Sequence, residues 1–115
     1  MPNHHPIDAQ IDRAFAALAD PTRRAVIERL GSGPASVTAL AADHAIALPS
    51  FMQHLKQLES AGLIRSEKQG RVRTCTLEPL ALAAVEQWIV ERRRNWEARL
   101  NRLGTYLDQL ESPDA

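Results

Sequence analysis

In the run ALPSFMQHLKQLESAGLI, residues 47–64, Gln53 and Lys56 are polar side chains set away from the apolar stripe. They stand among Leu48, Pro49, Ser50 and Met52 rather than among acids. Phe51, Leu55, Leu58 and Ala61 recur at helical spacing, which turns one face of this stretch toward a core. The opposite face is left with an uncharged mixture of amide and apolar side chains and one lysine, where a helix kept only for packing carries Glu, Lys and Arg. An amide matches the paired donor and acceptor on the edge of adenine, an apolar side chain matches a thymine methyl, and a lysine neutralises a phosphate. The competing reading is that Leu48 and Met52 extend the core.

A second group of cations follows in IRSEKQGRVRTCTL, where Gln69-Gly70 marks a hairpin. By strand parity Arg71, Arg73, Cys75 and Leu77 share one face, so the hairpin has an apolar base and a basic tip. Lys68, Arg71 and Arg73 then suit a wing lying along phosphates or into a minor groove, against the alternative of a hairpin that is merely soluble. Charge is distributed accordingly. Residues 47–76 carry plus three, residues 1–46 minus one and residues 77–115 minus two, within a net charge of zero.

Other chemistry is thinly represented. His4, His5, His44 and His54 are scattered, and no nucleophile, base or acid pair forms an enzyme-like motif. His54 lies beside the packed stripe, which suits a hydrogen-bonded structural histidine better than a base reader. Cys75 is the single cysteine, so no disulfide forms within one chain and no thiolate cluster can hold a metal; a bond between two subunits remains open. No apolar run approaches the roughly 18 residues of a membrane span, and no leader is evident, so a cytoplasmic protein is expected, without a membrane partner. At 115 residues, 44% hydrophobic and 24% charged, the chain is sized for a single domain.

The elements that must position these residues can be read in order. Residues 1–6 form a loose tail before a single domain over 7–115. Ile7, Ile11, Phe15 and Leu18 recur at helical spacing to about Ala19. Asp20 is placed to cap a second helix with Pro21 at its first position, Ala25, Val26 and Leu30 inward, and Gly31 and Gly33 at its end. Ser36 can cap a short helix carrying Val37, Leu40 and Ala41, giving a helix-turn-helix over about 36–61 closed by Gly62. A wing over about 63–77 follows. Residues 79–111 read as one long helix or two joined helices. Val85, Ile89, Arg92, Trp96, Leu100, Leu103, Leu107 and Leu110 form its stripe. Ile7, Ile11, Phe15 and Leu18, with Trp96, Leu100, Leu103, Leu107 and Leu110, exceed what so small a domain buries alone and are expected at a homodimer interface.

The fold class expected is mainly α with a β-hairpin wing, a winged helix-turn-helix with N- and C-terminal dimerisation helices. LADPTRRAVIERL, followed by VTALAADHAIALPSFMQHLKQLESAGLIRSEKQGRVRTCTL, resembles the ArsR/SmtB family of dimeric bacterial repressors over nearly the whole chain. The resemblance implies a symmetric dimer on double-stranded operator DNA, released by an effector or a change of state. A small-molecule effector is therefore a further expected partner.

Three departures qualify the resemblance. Many relatives place a capping serine just before the recognition helix, where this chain has Ala47. The family's Cys-x-Cys metal run falls on Ser36, Val37 and Thr38. Its C-terminal His and carboxylate site falls on residues 79–115, which contain no histidine. No metal or other cofactor is expected, the remaining alternative being His4, His5 and His44 gathered in a dimer. The rival function is a winged-helix protein-interaction adaptor without specific DNA readout, which strong salt dependence of DNA binding would argue against.

Overall fold

The computed structural model describes the backbone of residues 6–111 and the side chains of residues 9–111, so His4, His5 and the side chain of Ile7 lie outside the described residues. Helix α1 spans Pro6–Leu18, so Pro6 opens the helix rather than closing the tail, a position where its missing N–H costs nothing. Its inward face differs from the expected stripe. Ile11, Ala14 and Ala17 are buried and Leu18 packs against the core, while Phe15 stays 38% exposed.

Helix α2 (Pro21–Leu30) begins as its sequence predicts, with the Asp20 carboxylate accepting from the Arg23 N–H at 3.0 Å and Pro21 in the first turn. Val26 and Leu30 are buried and Ala25 is half-buried. Gly31 ends the helix in right-handed backbone, and it is Gly33, at φ 135, whose conformation needs a residue without Cβ. Strand β1 (Ala35–Ser36) comes next, then α3 (Val37–Ala42), with Ser36 Oγ accepting from the Ala39 N–H at 3.1 Å.

Residues 43–47 turn the chain into α4 (Leu48–Ser60), which buries Phe51, Leu55 and Leu58. Its end is a complete Schellman motif. The Leu63 N–H reaches Leu58 O, the Gly62 N–H reaches Glu59 O, both at 3.0 Å, and Gly62 takes φ 75. Strands β2 (Ile64–Gln69) and β3 (Val72–Leu77) form the hairpin, turned at Gly70 with φ 64. The sheet has three strands rather than the expected two. β1 pairs antiparallel with β3, giving the order β1-β3-β2 and placing Cys75 between Ala35 and Ser66.

Helix α5 (Pro79–Glu111) is one unbroken helix of 33 residues, which settles the choice between one long helix and two. Up to Val85 the chain forms one compact unit, and from Glu86 a second. The core lies in the first, where Phe51, Leu40, Leu58, Leu63, Val26 and Cys75 are fully buried. Each large side chain there contributes about 1.5–3 kcal/mol of transfer free energy. In the second unit the Arg92 guanidinium lies 4.5 Å from the Trp88 ring centroid, which accounts for a cation on an otherwise apolar stripe.

Candidate nucleic-acid interface

Burial of Phe51, Leu55 and Leu58 fixes which side of α4 faces out. Gln53 falls nearly opposite Phe51, with Pro49 and Lys56 on the same side, and all three are exposed. Leu48 and Met52, 57% and 38% exposed, do not extend the core. Ser50 is exposed as well. The helix starts without a side-chain cap at Ala47, leaving the partial positive charge of its first turn facing outward.

The wing brings the second group of side chains. Lys68, Arg71 and Arg73 are exposed, with Arg71 in the turn rather than in the strand, so strand parity does not govern it. Arg65 is matched by acids, pairing with Glu78 and lying 3.7 Å from Glu67. The wing set expected from the sequence, Lys68, Arg71 and Arg73, does not include it. Val72, 52% exposed between two arginines and paired with Gln69, joins the tip, and sequence reasoning passed over it. An apolar residue at a solvent-facing hairpin tip was the available signal.

Polar contacts hold α4 on two flanks. On the wing side Arg73 Nη1 donates to Ser66 Oγ at 3.1 Å, and Ser66 Oγ donates to Glu59 Oε1 at 2.9 Å. On the other flank half-buried His54 is hydrogen-bonded through Nδ1 to Arg23 Nη1 at 3.1 Å, the structural role its position suggests. The Asp20 carboxyl below it is held under its ordinary value. The Arg23 N–H is the main cause, opposed by desolvation and reinforced by the neighbouring His54 and Arg23 side chains and by the Thr22 N–H.

Between α4 and the sheet lie two adjoining clefts of ≈ 390 Å³ and ≈ 420 Å³ that share Val37, Met52 and Arg73. Cys75 lines the first. Burial pushes its thiol up, Glu59 adds to the rise and Arg73 partly offsets it, so the group is a neutral thiol at neutral pH. Ser36 and Thr38 line the second, where Ser36 Oγ is occupied as the α3 cap. Among the described residues, no three His, Cys, Asp or Glu side chains gather where a metal ion would sit.

The two expected dimer segments are placed differently. Trp96, Leu100, Leu103, Leu107 and Leu110 are all exposed along α5. In α1, Ile11 is already buried and Leu18 already packs on the core, so among the described members of that set Phe15 is the one with substantial exposure.

Comparison with known proteins matches this fold. A family model described as a helix-turn-helix domain matches residues 18–67. The chain is 40% identical over 97 residues to the HTH-type transcriptional regulator Rv2034 of Mycobacterium tuberculosis, covering 84% of this chain and 88% of that protein. It is 28% identical over 80 residues to the transcriptional repressor SdpR of Bacillus subtilis, covering 70% of this chain and 89% of that one. Among solved structures, the ArsR family transcriptional regulator RHA00566 superposes with a TM-score of 0.76 at 51% identity, covering 84% of this chain and 97% of that one. The chain belongs to the ArsR family of winged helix-turn-helix transcriptional regulators.

Proposed function

We propose that this chain is a homodimeric, sequence-specific repressor working in the cytoplasm, with α4 in the major groove and the wing on the flanking backbone. The observation that carries the reading is the exposed face of α4, where Gln53 and Lys56 stand with Leu48, Pro49, Ser50 and Met52, together with the exposed wing cations Lys68, Arg71 and Arg73. Such a face has donors, acceptors and methyl-sized apolar groups for base edges, and its cations suit phosphates. SdpR, named a repressor, is among its relatives, which favours repression over activation.

The exposed stripe Trp96, Leu100, Leu103, Leu107 and Leu110 supports a second copy along α5, with Phe15 contributing from α1. Two copies would present two recognition helices about 34 Å apart, one turn of duplex. The reading assigns the chain no catalysis, metal or other cofactor and no membrane partner, and leaves a small-molecule effector as the release signal. Among the described residues no helix is long and apolar enough to cross a membrane. Footprinting on the DNA upstream of its own gene tests the proposal: a protected pair of half-sites supports it. Binding with equal affinity to any duplex would favour the adaptor reading instead.

A further inference from the structure

We propose that Arg23 and His54 act as positioning residues, a clasp that sets the rotation of α4 and hence the aim of Gln53; this rests on the base-reading role proposed for α4. One guanidinium serves three acceptors. Nε donates to Ala17 O at 2.6 Å and Nη2 to Ala16 O at 3.3 Å, both at the end of α1, while Nη1 donates to His54 Nδ1 at 3.1 Å. The Arg23 backbone is itself fixed, because its N–H donates to Asp20 Oδ2 at 3.0 Å. The anchor is therefore held at both ends before it reaches α4.

The chemistry fixes which ring nitrogen accepts in this contact. A guanidinium has donors only, so Nδ1 must accept and the proton of neutral His54 must sit on Nε2. Asp20 Oδ2 lies 3.7 Å from the same Nδ1, too far to compete for a proton there. His54 directly precedes Leu55 of the buried stripe and directly follows Gln53 on the outward face. Holding its ring therefore holds the roll of the helix between them. Paired hydrogen bonds to a base edge need the amide placed within about 0.5 Å and 10–20°, a tolerance that apolar packing on one face does not secure alone. Through Ala16 and Ala17 the clasp also ties that roll to the end of α1.

The test uses the full-length chain carrying His54→Leu, His54→Asn or Arg23→Lys. Each is titrated with the footprinted operator and with random duplex, after thermal melting confirms a folded protein. Expected is a roughly tenfold loss on the operator for His54→Leu and Arg23→Lys, with random DNA changed less than about twofold. His54→Asn, whose Oδ1 can take the place of Nδ1 as acceptor, should recover most of that loss. Nitrogen-15 spectra of the wild-type imidazole, recorded without DNA, should show the Nε2–H tautomer. The clasp is overturned by an Nδ1–H tautomer, by equal losses on both DNAs, by no loss, or by His54→Asn behaving like His54→Leu. Failure of the base-reading role would appear in the wild type, as no preference for any sequence, whereas failure of the clasp appears in the variants alone.

Discussion

Glu59 of α4 accepts a hydrogen bond from Ser66 of the wing at 2.9 Å, and the same hydroxyl accepts from Arg73 at 3.1 Å. One serine thus joins the reading helix to a cation proposed for the backbone. Removing it should cost about 1 kcal/mol, the net worth of such a hydrogen bond. Ser66→Ala is expected to lower the unfolding free energy by that amount, read as a lower urea midpoint, and to weaken operator binding severalfold, because the wing loses its register against α4. An unchanged midpoint and affinity would show that the wing is held by strand pairing alone.

Gly62 closes α4 at φ 75, and a Cβ there would meet no atom within 4 Å. The cost of Gly62→Ala is therefore backbone strain alone, about 1–2 kcal/mol. Urea unfolding should report it, with Gly62→Asn less destabilised than Gly62→Ala because asparagine tolerates the left-handed region better. Equal stability of the alanine variant would mean that the Schellman closure contributes nothing.

Cys75 sits between Ala35 and Ser66 with 1% exposure, and its thiol is raised above the ordinary value of 9.0 by burial and by Glu59. The sign follows directly. A raised native pKa contributes stability that is present below the unfolded value and lost as pH climbs through the native one. At pH 7–8 the folded chain should resist thiol reagents and react only after denaturant is added. Rapid labelling of the native chain would contradict this placement and reopen a redox role.

Much of this arrangement could be read from residue order because it is local. The stripe Phe51, Leu55 and Leu58, the Asp20 and Ser36 caps and the glycines at 62 and 70 each declare themselves within a few residues. What was not legible depends on distant partners. β1 is two residues long, too short for any periodicity, and exists only because β3 pairs with it. In α1 the buried places went to Ala14 and Ala17, whose small side chains a hydrophobicity pattern underweights against Phe15. The place of His54 beside the stripe is legible from spacing, yet its partner Arg23 lies 31 positions away. The outward face of α4 followed from the inward one; which of its residues touch DNA is a property of the complex, and no spacing reveals it.

Leu103 and Leu107 are exposed on α5, four residues apart on one face of that helix. If a second copy covers them, Leu103→Glu with Leu107→Glu buries two carboxylates and should turn a dimer into a folded monomer in sedimentation at micromolar concentration, with operator affinity falling in step. A double variant that stays dimeric would place the interface elsewhere.

The central claim is that α4 reads bases while the wing binds backbone, and the most direct measurement compares Gln53→Ala with Arg71→Ala on operator and random DNA across a salt series. Gln53 stands on the exposed face nearly opposite Phe51, and Arg71 stands in the hairpin turn. Gln53→Ala should lose about 1–3 kcal/mol on the operator and much less on random DNA, while Arg71→Ala should weaken both and lower the salt slope by about one. Equal weakening of operator and random DNA by Gln53→Ala would contradict the account, since α4 would then not be reading sequence through Gln53.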